Sequence, residues 1–77
     1  MMKAYVLINV RVGSVPEVVQ NLRRLDGILE ASMTFGPYDA VATVEAGDIN
    51  KLGHLIAAKI QPIPGVLNTI TCLVVEP

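Results

Sequence analysis

The chain is short and apolar, and its composition excludes several protein classes. Of its 77 residues, 52% are hydrophobic and 17% are charged, with a net charge of −1. This composition is not that of a disordered chain, which is poor in apolar residues and strongly charged. The near-neutral charge lacks the basic excess of a nucleic-acid-binding surface, so we expect no direct contact with DNA. A single Cys and a single His cannot build a structural zinc site, and we expect neither a metal nor a cofactor.

The length predicts a single domain over residues 1–77 that works as an oligomer. A domain of about 60 residues buries only about 60% of the surface of its unfolded chain, so it cannot hide this many apolar side chains alone. The longest uncharged stretch, residues 60–75, contains Pro62, Pro64 and Gly65 and is not a transmembrane helix. The N-terminus has no signal-peptide organisation, and we therefore expect a cytoplasmic protein.

The first half of the chain predicts a strand and a helix. Residues 4–10 are a β-branched and aromatic run, typical of a strand. Ser14 and Glu17 have the spacing of a capping box, and apolar side chains follow at helical spacing as far as Leu25. Gly27 then ends the helix, since glycine readily takes the left-handed conformation after a C-cap.

The second half predicts two paired strands, a helix and a last strand. Residues 28–35 alternate as a strand, residues 36–39 form a Gly-Pro-Tyr-Asp turn, and residues 40–46 form the antiparallel neighbour. Asp48 is the N-cap of the second helix, and residues 66–75 are the last strand. The apolar stripe predicted to be buried by the second helix is Ile49, Leu52, Leu55, Ile56 and Ile60.

This β-α-β-β-α-β order predicts an α+β, ferredoxin-like sandwich: a four-stranded antiparallel sheet with two helices on one face. Both faces of the strands are apolar. In the first strand, Tyr5 and Leu7 point opposite to Val6, Ile8 and Val10. Strict alternation divides the last strand into two sets, Val66, Ile70 and Val74 against Leu67, Leu73 and Val75. Because a bare apolar face is unusual in monomers, we expect a dimer through the open sheet face.

Few residues carry a recognisable chemistry. His54 and Cys72 lack sequence partners for acid–base or nucleophilic catalysis, which favours an exposed helical side chain and a small hydrophobe. Asp39 either caps main-chain N–H groups of its turn or presents, with the turn, a carboxylate to a small zwitterion. Thr69 and Thr71 share a strand face and either face solvent or bind a ligand. The residues alone thus predict an oligomeric domain that binds something small.

Residues 36–44, Gly-Pro-Tyr-Asp-Ala-Val-Ala-Thr-Val, resemble the effector-binding domain of the leucine-responsive regulator (Lrp/AsnC) family. That domain has a Gly-x-(Tyr/Phe)-Asp turn followed by an apolar strand. The likeness continues in Ile-Pro-Gly-Val at residues 63–66 and in Thr-Ile-Thr at residues 69–71, and residues 5–8 are similar to the family's first strand. The resemblance covers nearly the whole chain, with its motifs in the same order.

The resemblance implies a domain for the regulation of amino-acid metabolism (RAM), of the dimeric α+β barrel type, which dimerises through its sheets and assembles into tetramers of dimers (octamers). An amino-acid effector then lies at the seam between dimers. The residues that the resemblance assigns to that seam are Gly36, Tyr38, Asp39, Ile49, Thr69, Thr71 and Cys72. Full-length members add an N-terminal helix-turn-helix that binds DNA. Because the first strand begins almost at Met1, we expect a stand-alone, non-catalytic sensor that co-assembles with a full-length regulator.

Two other functions stay open. The topology also resembles small dimeric α+β barrel enzymes, monooxygenases and isomerases, which would need a pocket inside each protomer between sheet and helices. His54 or Tyr38 would then be the acid or base. An interaction-only subunit would have no ligand. The position of the pocket discriminates between the enzyme and the sensor.

Overall fold

The computed structural model describes residues 1–76, and Pro77, the last residue of the predicted domain, lies outside the described residues. The secondary-structure elements occur in the predicted order. They are β1 (Met2–Val10), α1 (Val15–Arg23), β2 (Ile28–Met33), β3 (Ala40–Ala46), α2 (Ile49–His54), a π-helix (Leu55–Ile60) that continues α2, and β4 (Val66–Leu73). Within residues 1–76, no helix is long and apolar enough to span a bilayer.

The four strands form one antiparallel sheet in the order β2-β3-β1-β4, which confirms the ferredoxin-like fold. The side chains of Val6, Ile8 and Val10 in β1 face the helices and are buried, whereas Tyr5 and Leu7 face the other way. The predicted hairpin of β2 and β3 is also confirmed. The sheet therefore has one face covered by helices and one face without any.

The core fills the space between the sheet and the helices. Its largest fully buried side chains are Ile8, Leu22, Leu52, Ile60, Val6, Val18 and Val44. At the edge of the sheet, the guanidinium of Arg23 donates two hydrogen bonds to the carbonyl oxygen of Ala31, at 3.0 Å from Nε and 2.8 Å from Nη2. These bonds attach the end of α1 to the edge strand β2.

The predicted start of α2 is confirmed, whereas the predicted capping of α1 is not. Asp48 caps α2, because its Oδ1 accepts a hydrogen bond from the Lys51 N–H at 2.8 Å. The predicted capping box of Ser14 and Glu17 is wrong. Ser14 makes no side-chain capping bond, since its backbone (φ −105°, ψ −1°) is helical instead of extended as an N-cap requires. Ile49 is also not buried as predicted: it is the first residue of α2, lies outside the core and is 55% exposed.

A β-bulge changes which residues of β4 share a face. Val66 pairs with Val10, whereas Ile70 pairs with Leu7, and the register shifts between Asn9 and Val10 of β1. The extra residue in β4 resets the alternation, so Val66 packs against the core while Ile70 lies on the open face. The prediction that Val66 and Ile70 share a face is therefore wrong.

The open face has an apolar centre. Leu7 of β1 pairs with Val41 on one side and Ile70 on the other, which gives a continuous apolar row across three strands. Tyr5 and Cys72 are partners in the neighbouring row. Tyr5 is 43% exposed and Ile70 46% exposed. A single protomer thus leaves apolar side chains of its central and edge strands in contact with water.

Candidate functional site

The Gly-Pro-Tyr-Asp turn is attached to the end of the central strand β1. The Asp39 N–H donates to the Ile8 carbonyl at 2.9 Å, and Asp39 Oδ2 accepts from the Val10 N–H at 2.7 Å. A short bond of this kind to a carboxylate is typical of a charge-assisted hydrogen bond. Asp39 therefore caps a main-chain N–H group, and that group belongs to β1 and not to the turn that contains Asp39.

Further hydrogen bonds fix the shape of the turn. Asn9 Nδ2 donates to the Pro37 carbonyl at 3.0 Å, and the Thr34 hydroxyl donates to the Tyr38 carbonyl at 2.7 Å. The Thr34 N–H donates to the Asp39 carbonyl at 3.0 Å. Gly36 has φ +130°, in the region that favours glycine. The turn is thus closed on itself and held to β1.

A cleft of about 490 Å³ lies beside this turn. Its lining residues are Val15, Met33, Thr34, Phe35 and Asp39. Phe35 is fully exposed and Met33 is 59% exposed, although both side chains are large and apolar. The cleft has the size of a small-molecule site, which typically measures about 300–1,000 Å³, and it combines apolar walls with one carboxylate. The cleft is open to solvent.

The polar groups of the cleft suit a zwitterion. A carboxylate has about four acceptor positions, so the bond from Val10 leaves Asp39 able to accept from a ligand ammonium. The N–H groups of Thr34 and Asp39 already donate to main-chain carbonyls. The turn residues between them are Phe35 to Tyr38, and of these Phe35 lines the cleft. Among residues 1–76, no cluster of His, Cys, Asp and Glu is suited to hold a metal ion.

The two threonines of the predicted site share the helix-side face of β4, as expected. Thr69 pairs with Ile8 and Thr71 with Val6, and both β1 residues face the helices. The Thr69 hydroxyl oxygen accepts a hydrogen bond from Gln61 Nε2 at 3.2 Å. Cys72 lies on the opposite, open face of the same strand.

One protomer does not bring all seven predicted site residues together. Gly36, Tyr38 and Asp39 lie in the turn before β3. Ile49 follows the far end of β3, whose seven residues span roughly 20 Å at about 3.3 Å per residue. The sequence analysis missed Val15, Met33, Thr34 and Phe35 as cleft residues. The only signal for them was the large apolar Phe35 directly before the turn.

His54 lies in a second cleft, which is lined by the segment that ends α1 and by α2 with its π-helical continuation, together with Lys51 and Lys59. The space between sheet and helices, where the enzyme alternative needs its pocket, is filled with core side chains over the part of the chain that the structure describes. Tyr38 lies in the turn, far along the chain from His54. Neither residue therefore lies in an interior pocket between sheet and helices, where the enzyme alternative needs its acid or base.

The chain is similar in sequence and in fold to known proteins. Residues 3–77 match the family described as the Lrp/AsnC ligand binding domain. The HTH-type transcriptional regulator FL11 of Pyrococcus abyssi is 35% identical over 75 residues, which are 97% of this chain and 49% of that protein. The crystal structure of TTHA0845 from Thermus thermophilus has a TM-score of 0.94 at 31% identity, covering 100% of this chain and 96% of that one. The transcriptional regulator NMB0573 from Neisseria meningitidis, crystallised as its L-Met complex, has a TM-score of 0.87 at 17% identity, covering 97% of this chain and 50% of that one. This chain spans about half the length of FL11.

Proposed function

We propose that this chain, which belongs to the Lrp/AsnC ligand-binding domain family, is a regulatory domain that binds an amino acid and carries out no catalysis. Its relatives are named HTH-type transcriptional regulators, and NMB0573, which shares its fold, forms a complex with L-Met. In this chain, the observation that carries the proposal is the cleft beside Asp39. It joins one carboxylate, in a turn held by hydrogen bonds, to an apolar wall.

The chemistry of the cleft suggests how an amino acid would bind. The α-ammonium would donate to the Asp39 carboxylate, and the α-carboxylate would accept from the main-chain N–H groups of the turn. The side chain would then lie against Val15, Met33 and Phe35, which line the same cleft. Since these three residues are apolar, we expect an amino acid with an apolar side chain to bind best.

A second copy of the chain would complete the site. The cleft is open, and two large apolar side chains that line it, Phe35 and Met33, are exposed. A contiguous exposed apolar patch is typical of an interaction surface. We propose that dimers form through the apolar row of Val41, Leu7 and Ile70 on the open face, and that dimers then associate at a seam next to the turn. Ile49, Thr69, Thr71 and Cys72 of neighbouring copies would contribute to that seam.

A thermal-shift screen of the twenty amino acids tests this proposal. A ligand that binds only the native state stabilises it by about 2.7 kcal/mol at a hundred times its Kd, so a responsive amino acid raises Tm. We expect the response from an apolar amino acid at millimolar concentration, with calorimetry then giving the Kd. If none of the twenty raises Tm, the amino-acid proposal is wrong and the interaction-only alternative gains.

The Phe35→Ala variant tests the position of the site. Since Phe35 is fully exposed in the protomer, its loss should leave the fold intact yet weaken amino-acid binding about 10-fold, as expected for an aromatic side chain that a ligand covers. Leu29→Ala is the matched control, because Leu29 is 55% exposed at the other end of β2. Equal effects of the two substitutions on the Kd would contradict a site at the turn.

A further inference from the structure

The second cleft, of about 340 Å³ between the end of α1 and the second helix, concentrates positive charge. Its lining residues are Arg24, Leu25, Asp26, Lys51, His54, Leu55 and Lys59. Three of the six Lys and Arg residues of the chain and its only His are found there, beside one carboxylate, although the net charge of the whole chain is −1. The cleft is therefore locally positive on a chain whose net charge is negative.

The π-helix explains why cationic side chains from one helix converge on the cleft. In an α-helix with about 3.6 residues per turn, residues five apart lie about 140° apart around the axis. Here the Gln61 N–H donates to the Ile56 carbonyl at 2.9 Å, a π-type bond that spans five residues. The wider turn brings residues five apart, such as His54 and Lys59, towards the same side, and both line the cleft. π-helical turns occur frequently at functional sites.

A close contact between Gly27 and Leu55 fixes the position of the π-helix relative to the end of α1. Gly27 has φ +91°, and a Cβ atom there would lie 3.1 Å from Cδ2 of Leu55 and 3.0 Å from the Glu45 carbonyl oxygen. Because Gly27 has no side chain, Leu55 packs directly against the segment that follows α1. As a result, Arg24 at the end of α1 lines the same cleft as Lys51 and Lys59 of the second helix. Its one side-chain hydrogen bond, from Nη1 to Asn21 Oδ1, is long at 3.5 Å, so its guanidinium keeps donors for a ligand.

We propose that this cleft binds a small anion that carries phosphate groups. Guanidinium and ammonium groups are the usual protein partners of phosphate. The cleft has the volume of a small-ligand site and an apolar wall of Leu25 and Leu55. A concave site with three cations, on a chain without a net positive charge, fits a small anion better than the extended backbone of a nucleic acid. The site is separate from the amino-acid cleft and does not depend on it.

Calorimetry with inorganic phosphate and with pyrophosphate tests this proposal. We expect pyrophosphate to bind the wild-type chain at low salt, and the double variant Lys51→Gln/Lys59→Gln to bind it about 10-fold more weakly, at roughly 3- to 5-fold for each cation lost. Lys3→Gln/Arg11→Gln is the matched control, because it removes the same charge on other parts of the chain. Amino-acid binding should be unchanged in both double variants, which keeps this test distinct from that of the proposed function.

Three results would overturn the proposal. The first is that pyrophosphate fails to bind the wild type at 10 mM. The second is that both double variants lose the same affinity. The third is that duplex DNA displaces pyrophosphate at submicromolar concentration. Circular dichroism checks that the variants are folded. If the lysine variant does not fold, Arg24→Gln replaces it, since Arg24 lines the cleft from a different helix and is exposed.

Discussion

Substitution of Asp39 by Ala should destabilise the fold measurably, because its carboxylate holds the turn to the central strand. The bond from the Val10 N–H to Oδ2 is 2.7 Å long and only partly exposed. Hydrogen bonds to charged groups contribute about 1.5–3 kcal/mol. Since Asp39 is half-buried and water can reach the vacated N–H, we expect a loss of about 1–2 kcal/mol. For a domain of this size, this lowers Tm by roughly 5–15 °C.

Asp39→Asn separates the structural role of this residue from binding. The amide oxygen can still accept from Val10, so the Tm should fall by less than half of the Asp39→Ala change. The negative charge opposite a ligand ammonium is lost, and amino-acid affinity should decrease 10- to 100-fold, equivalent to about 1.5–3 kcal/mol. Melting curves must be recorded at one protein concentration, because assembly makes Tm concentration-dependent.

Asp48→Ala is the matched control for both readouts. Asp48 also accepts from a main-chain N–H, at 2.8 Å, but it caps α2 at the opposite end of β3. Its loss should cost about 1 kcal/mol of stability and change amino-acid affinity far less than Asp39→Asn does, because it removes no charge opposite the ligand ammonium. The reasoning is refuted if Asp39→Ala melts at the wild-type temperature, or if Asp39→Asn binds the amino acid as tightly as Asp48→Ala does.

Three further predictions concern assembly, packing and DNA. Leu7→Glu places a charge in the centre of the open-face row, where an unpaired buried charge costs several kcal/mol. Light scattering should show a multiple of 8.2 kDa for the wild type and dissociation or unfolding for the variant. An unchanged assembly would contradict the proposed interface. Gly65→Ala should be less stable to urea than Gly13→Ala by about 1–3 kcal/mol, since both glycines have positive φ but only a Cβ at Gly65 would meet a neighbour, Ser14 Cβ at 2.8 Å. Equal midpoints would show that Ser14 moves aside freely. The chain alone should not shift duplex DNA in a gel, whereas its addition should change the DNA binding of a full-length relative; no change would count against co-assembly.

The features that the sequence predicts correctly are those with a local signature. The helical spacing around Leu22 and the two-residue alternation that predicts β2 follow from residues close together in the chain. Asp48 caps its helix through a bond to Lys51, only three residues away. Their order is then enough to predict the strand topology, because few connections of six such elements are sterically allowed.

The features that the sequence misses depend on distant residues. The bulge opposite Asn9 and Val10 is a property of the pairing of two strands and leaves no mark in the pattern of either one. The partner of the Asp39 carboxylate, the Val10 N–H, is 29 residues away. The sequence identifies Asp39 as a turn residue with a useful carboxylate, but the site at which that carboxylate is held can be read only from the fold.

The attachment of the turn to β1 has a consequence for the thermodynamics of ligand binding. With Asp39 held by Ile8 and Val10, and Pro37 held by Asn9, this wall of the cleft is ordered before any ligand arrives. The conformational entropy of the turn is lost during folding, so an incoming ligand has only its own freedom and that of exposed side chains such as Phe35 to lose. Discrimination among amino acids should therefore depend on the mobile apolar rim, while the rigid turn binds the ammonium and carboxylate groups that all of them share.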